Sequence, residues 1–475
     1  MKKMIYNVSE SFGKIFPDRF HSIRRTLCFA CVFILLTPLI CGQNPILESY
    51  IEEGLGSNHG FKQRQLDYTK NLSALKEARG LFFPDVSFNA RYTVARGGRT
   101  IEFPVGDLLN PVYSTLNFLT ASEAFPQIEN QEFNFYRPKE HETKLSLVQP
   151  IFNTDLLYNY RIKEDYAEIS RIDVDRYKRE LIREITQAYY NYQKAYHLVQ
   201  LADTTLLLVQ ENVRVSKSLF ENDKVTIDAV YRSESEQSKV EVQQAETKNL
   251  LEASRAYFNF LLNRPLDSDI ALMHEVPDPV IQELEEAQNL ALAGREELRQ
   301  LEKYQQLNKN MGNLHQGKNI PGLFGVVDYG FQGAEYRFTG DDDFMLASLV
   351  LQWKIFQGAS NHQKVRQSKI EGEKLEEAFA EAEQQIRLGV INNYYALLAA
   401  FEAVQSAGKQ EQSASKAYRL IDRKYIEGQS TLLELIDART SMTNASANSI
   451  VAQNEYFIRK ADFEYATGAI DLNLY

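Results

Sequence analysis

The chain carries one pattern twice, and the repetition limits its possible folds more than any other feature. Val148-Gln149-Pro150-Ile151-Phe152-Asn153 is matched by Gln352-Trp353-Lys354-Ile355-Phe356-Gln357. Ala188-Tyr189-Tyr190 is matched by Asn393-Tyr394-Tyr395, and the stretch Phe220 to Val230 by Tyr425 to Leu435. Leu262 to Leu266 stands where Ala466 to Ile470 stands later. The offset stays at 204–205 residues throughout. Shared helical composition would not hold such a register, so the chain reads as two copies of one supersecondary unit.

Each half predicts the same order: helix, strand, loop, strand, long helix, sharp tip, long helix. The strands show period two. Val86, Phe88, Ala90, Tyr92 and Val94 alternate with Ser87, Asn89, Arg91 and Thr93. From Thr143 to Ile151, Leu145 and Leu147 alternate with Lys144 and Ser146. Leu323, Gly325, Val327, Tyr329 and Phe331 share one face of a third strand; Met345, Ala347, Leu349, Leu351 and Trp353 share one face of a fourth. Expected strand bounds are about 84–95, 143–152, 320–332 and 344–356. These lengths suit a tilted bilayer crossing, although a half-buried soluble sheet has the same pattern. The connection Ala95 to Arg137 is long and rich in Pro, Asn and Phe; Gly333 to Asp343 is short and polar. A long loop on one side fits the exterior of an outer-membrane protein.

Asp155 to about Asn222 and Ala359 to about Glu427 run without proline. Each would form a helix of roughly 100 Å at 1.5 Å per residue. Leu375, Phe379, Ala382, Ile386, Val390, Leu397, Phe401 and Val404 form a coiled-coil-like seam. Shorter helices return over Ile227 to Leu262 and Leu432 to Tyr465, giving hairpins at about 155–264 and 358–467. Single helices are expected at Ile46 to Arg79 and Glu283 to Leu314. Four strands cannot close a barrel, and open edges are not tolerated in lipid. If the strands lie in a membrane, at least two chains must share one barrel. Small or polar seam positions such as Ser413, Ala414, Ala417 and Ala445 suit helices sheathing water.

Residues 1–42 read as a secretory signal peptide. Arg24 and Arg25 precede an apolar run from Leu27 to Ile40, about 14 residues, short of the roughly 20 a spanning helix needs. Cys28, Cys31 and Cys41 all lie there. The Cys28/Cys31 pair sits in an apolar core without partner ligands, which argues against metal or redox chemistry. Cys41 follows Ile40, where a lipidation motif wants a small residue. Residues 43–475 then form two repeats, 43–270 and 271–475, with 47 basic and 62 acidic residues, net −15. That excess argues against nucleic acid as a partner. Mean hydropathy is −0.38, too polar for a bundle of membrane helices.

Enzyme signatures are weak. Gly312 to Lys318 has phosphate-loop spacing, but Asn319 follows where Ser or Thr should hold magnesium, and the segment leaves a helix rather than a strand. The seven histidines include no pair four apart, and no GxSxG elbow exists. Asp341-Asp342-Asp343 reads as a solvated turn. No catalytic residue, metal or cofactor is expected.

The residues that carry a resemblance are the two tips and the strand-to-helix joints Gln149-Pro150-Ile151-Phe152 and Trp353-Lys354-Ile355-Phe356. The second tip reads Tyr425, Gly428, Glu434, Asp437, Ala438. With the doubled architecture, the chain resembles the TolC-like outer-membrane efflux proteins over Gln43 to Leu474. The resemblance implies an α+β membrane protein: a homotrimeric duct with a shared 12-stranded β-barrel, four strands per chain, and a long α-helical barrel crossing the periplasm. It implies outer-membrane lipid around the barrel, a periplasmic adaptor (membrane fusion protein), and an inner-membrane transporter of RND or ABC type. It implies a periplasmic gate at Tyr425, Glu434 and Asp437, with Asp228 near the equivalent place in the first tip and Gly428 and Asp223 at the turns. The sequence departs from the family pattern at Ser430, where the archetype has arginine, and at Asp223 and Ala229 in the first tip. A competing reading makes Glu434 and Asp437 solvated helix-start acids. Two other functions compete: a type I protein secretion duct and a periplasmic coiled-coil scaffold.

Overall fold

The computed structural model describes residues 44–475 except 274, 280, 281, 471 and 473–475. The expected leader at 1–42 lies outside the described residues. Helices α1 (Pro45–Ser57) and α2 (His59–Gly80) lead into strand β1 (Asp85–Val94). The long connection that follows holds β2 (Thr100–Phe103), α3 (Val105–Thr120) and β3 (Gln131–Asn134), and ends at β4 (Lys139–Phe152). The first hairpin is α4 (Thr154–Glu221) and α5 (Ile227–Leu261). Then come α6 (Leu284–Gly294), α7 (Glu296–Gly317), β5 (Gly322–Gly333), β6 (Asp343–Gln352) and the second hairpin, α8 (Ser360–Ile426) and α9 (Leu432–Thr467).

The hairpins pair helices of 68 and 35 residues and of 67 and 36 residues. The longer members span about 100 Å. Asn153 starts α4 by accepting from the Asp155 amide. Helix α9 packs on both α8 and α4, joining the hairpins. Their shared core includes Ile185, Tyr189, Phe258, Leu262, Val390 and Tyr456. Tyr190 stacks on Phe457 with centroids 4.7 Å apart. Of the predicted α8 seam, only Val390 and Leu397 are fully buried in one chain; Leu375, Phe379, Ala382, Ile386, Phe401 and Val404 stay half-buried. Within one chain these positions are only partly covered.

Two expected helices are interrupted. Asn58 has extended backbone (φ −62°, ψ 126°), so Ile46 to Arg79 forms two helices. Its side-chain carbonyl caps α2 by accepting from the Phe61 amide, while its side-chain NH₂ donates to Leu261 O at 2.9 Å. Arg295 likewise divides Glu283 to Leu314, with its guanidinium drawn to the Tyr465 and Ala466 carbonyls. In both places a tertiary hydrogen bond outweighs continued helix. The connection read as loop contains α3, with Pro111 inside it.

The strands form one antiparallel sheet in the order β1-β4-β5-β6. β4 starts at Lys139, four residues before the expected Thr143, because Lys139 to Glu142 pair with Val94 to Arg91 on β1. His141 and Glu142 also pair with Gly333 and Gln332 on β5. β6 stops at Gln352; Gly358 and Ala359 then take left-handed φ (60° and 58°), turning the chain into α8. The register aligns Phe88, Leu145, Tyr329 and Met345 in one row, and Val86, Leu147, Val327 and Ala347 in another. All these side chains point to one face, and Phe88, Val86 and Met345 are exposed. The opposite face is polar around Asp328, where Lys144 Nζ bridges Glu142 and Asp328 at 3.0 Å each and Arg91 meets Glu142 at 2.9 Å, while β6 adds Leu346 and Val350 to it. Among the described residues the outer edges of β1 and β6 have no partner strand.

Candidate functional site at the hairpin tips

Both tips turn by the same backbone device. After α4, the Asp223 amide donates to Phe220 O (3.0 Å) and the Lys224 amide to Leu219 O (2.8 Å). After α8, the Gly428 amide donates to Tyr425 O (3.0 Å) and the Gln429 amide to Lys424 O (2.7 Å). The pattern is a helix C-terminal closure with a left-handed residue, φ +54° at Asp223 and +73° at Gly428. Glycine takes that conformation freely; for aspartate it costs about 1 kcal/mol.

The returning helices start differently. Thr431 and Glu434 form a capping box at α9: the Glu434 amide donates to Thr431 Oγ1 (3.3 Å), and the Thr431 amide to Glu434 Oε2 (2.7 Å). Ser430 Oγ donates to the same carboxylate oxygen at 2.5 Å. The Ser430 hydroxyl, then the Thr431 amide and hydroxyl, hold the Glu434 carboxyl below the usual carboxylate range. In α5 the matching position is Ala229, and Thr226 makes no cap to the backbone. The Thr226 hydroxyl donates instead to the Asp228 carboxylate, which also lies 3.6 Å from Arg232. Asp228, Glu434 and Asp437 are all exposed. Tyr425 is buried: its hydroxyl sits 3.2 Å from Ser216 Oγ, which pairs with Ser233 Oγ at 2.9 Å. Around them Ala229, Tyr418, Leu432 and Leu435 form a separate small core. The structure thus brings the two tips together through Tyr425, and leaves the carboxylates on the surface.

Residues 287–469 match the family model described as outer membrane efflux protein. Outer membrane protein TolC of Escherichia coli (strain K12) is 21% identical over 436 residues, which is 87% of this chain and 80% of TolC. The Campylobacter jejuni CmeC outer membrane channel superposes with TM-score 0.74 at 14% identity, covering 89% of this chain and 85% of its own. The open state of the Neisseria gonorrhoeae MtrE outer membrane channel gives 0.69 at 18% identity, covering 89% of each. The chain resembles the TolC-like outer-membrane efflux proteins in sequence over residues 287–469 and in fold over about nine-tenths of its length. It belongs in the outer membrane and extends into the periplasm, and its relatives are channels rather than enzymes. Among the described residues no helix is long and apolar enough to cross a membrane, and no group of three His, Cys, Asp or Glu could hold a metal.

A second tie joins the tips. Arg439, 3% exposed, reaches from α9 to Glu236 on α5, Nη2 to Oε2 at 3.0 Å. Burial pushes the Glu236 carboxyl up, but the hydrogen bonds from Lys239 and Arg439 prevail and set it below its ordinary value. Sequence reasoning missed Arg439, Glu236, Ser216 and Ser233. One signal was available: Arg439 is the sole Lys or Arg between Gly428 and Ile458, on a helix otherwise rich in apolar and small residues. Arg439→Ala should destabilise the tip by about 3 kcal/mol, because it strips a partner from a mostly buried pair. Hydrogen exchange should then speed up over residues 216–236 and 425–440, and leave the core near Tyr189 protected.

Proposed function

We propose that three copies of the chain build an outer-membrane exit duct for a tripartite efflux system. Each contributes four strands to a 12-stranded barrel and its paired hairpins to a periplasmic tunnel. A periplasmic adaptor and an inner-membrane transporter of RND or ABC type feed the duct. A leader at 1–42 is removed on export, and two structural repeats, 43–270 and 271–475, make up the rest. The observation that carries this reading is the sheet: one apolar face is exposed, and both edges are unpaired among the described residues. In lipid such edges are satisfied only by closing a barrel with other copies. The inner face, with Lys144, Asp328, Arg91 and Glu142, suits a water-filled lumen.

The gate lies at the tips. Its closed form is held by Tyr425 against Ser216 and by Arg439 against Glu236. The MtrE neighbour is an open state of its channel; for this chain opening means parting those two ties. Asp437 supplies the pore-facing carboxylate that attracts cations. Glu434 chiefly caps α9, with Gly428 and Asp223 shaping the turns. The sign of its pH dependence follows: a lowered carboxyl contributes above its unfolded pKa and loses that contribution only as pH falls through its lower folded value. The cap therefore persists in mild acid. In planar bilayers the purified oligomer should pass small cation-selective currents. Asp437→Asn should weaken the selectivity, and Glu434→Gln should change it less. A folded oligomer that never conducts, even with the tips removed, would overturn the duct; equal selectivity in Asp437→Asn would overturn only the gate.

A further inference from the structure

The connection between β1 and β4 leaves the sheet at Val94, the end away from the long helices, and so lies on the exterior side. It is a built module. Asn110 Nδ2 donates to Ile128 O and the Ile128 amide to Asn110 Oδ1, both at 2.9 Å. Asn117 makes the same two-bond clamp with Phe125, at 2.7 and 3.0 Å. These clamps fix one face of α3 against residues 125–128. At helical spacing the opposite face carries Leu108, Val112 and Leu119, which are 66%, 51% and 72% exposed. An ordered helix thus turns an apolar stripe away from its own chain, which marks an interaction surface.

The charge pattern selects the occupant. A helix lying in a membrane surface carries Lys and Arg on its polar face. Helix α3 has a single charged residue, Asp107, and no basic one. Its polar face is also already consumed by the asparagine clamps. Position points the same way: α3 follows β1, whose free edge must pair with a neighbouring copy when the barrel closes. We propose that the α3 helices of the assembled copies pack stripe to stripe over the outer mouth, forming an exterior cap on the duct. This inference rests on the trimer reading above. The cap narrows the exit independently of the periplasmic tips.

The test is a disulfide. The native cysteines all lie at positions 28–41, so Leu119→Cys places a thiol alone in the rest of the chain. Mild oxidation of the purified oligomer, with native mass spectrometry to establish its copy number, should give a covalent dimer absent from the unsubstituted chain. Ser114→Cys, on the clamped side of α3, should give no such band. A trimer that forms no disulfide in the Leu119→Cys variant overturns the cap while the trimer stands. A fluorophore attached to that variant's thiol and quenched by brominated lipid would also overturn it, giving the stripe to the membrane. A monomer by mass would overturn the cap together with the trimer.

Discussion

Arg179→Met is expected to cost about 3–5 kcal/mol, because it strands a buried carboxylate. Arg179 and Glu296 are 6% and 2% exposed. The guanidinium binds the carboxylate through Nε at 3.1 Å and Nη2 at 2.8 Å. Its third nitrogen donates to the carbonyls of Gly468 and Ile470 at 2.8 and 2.6 Å. One side chain thus ties α4 to the start of α7 and to the end of α9, where a left-handed Gly468 (φ +71°) stops the helix. Removing it leaves a charged carboxylate and two carbonyls without these donors, while Glu296→Gln keeps one hydrogen bond and should cost less. Arg179→Met/Glu296→Leu should recover part of the loss, since two apolar side chains remove the buried carboxylate's penalty while the Gly468 and Ile470 carbonyls still lack these donors. The check is a double-mutant cycle by thermal unfolding in detergent, with a coupling energy well above the ~0.5 kcal/mol scatter of independent sites. If the double variant is no more stable than Arg179→Met, the pair is not the source of the effect.

The contrast between that pair and the rest of the fold shows what was legible in the sequence. Long helices and strands announce themselves because their patterns repeat: alternation from Val86 to Val94 and the proline-free run in α8 set the elements to within a few residues. The breaks at Asn58 and Arg295 were not legible. Each depends on a carbonyl brought from a distant segment, Leu261 in one and Tyr465 in the other. Helix α3 was hidden for a related reason: the connection around it is rich in Pro, Asn and Phe, Pro111 lies inside it, and the clamps to Phe125 and Ile128 that hold it come from outside the helix. At the tips, sequence singled out Tyr425, Glu434 and Asp437 but could not show that the tyrosine is buried and the two acids exposed. Only the structure shows the capping box that Glu434 forms with Thr431. Asp437 is exposed one turn further along, outside that box. Arg439 was missed because its partner lies about 200 residues away, at Glu236.

Val86→Arg and Ser87→Arg should differ sharply, though the residues are neighbours. Val86 stands in the row with Leu147, Val327 and Ala347, half-way along β5 and β6 and on the apolar face. Ser87 stands on the polar face, opposite Ser146, which in turn pairs with Asp328. If the apolar face meets lipid, an arginine at position 86 enters the bilayer and costs up to about 2–4 kcal/mol per chain. In the proposed trimer, three copies of that penalty in one barrel would abolish assembly outright. Arginine at position 87 instead enters a wet lumen with an acid close by. It should assemble at near-normal yield and shift the ion selectivity of the open channel. The measurement is the amount of folded oligomer recovered from outer membranes, followed by conductance of whatever folds. Equal recovery of the two variants would mean that the apolar face does not meet lipid. The four strands would then form a soluble half-buried sheet, and the duct would need another way into the membrane.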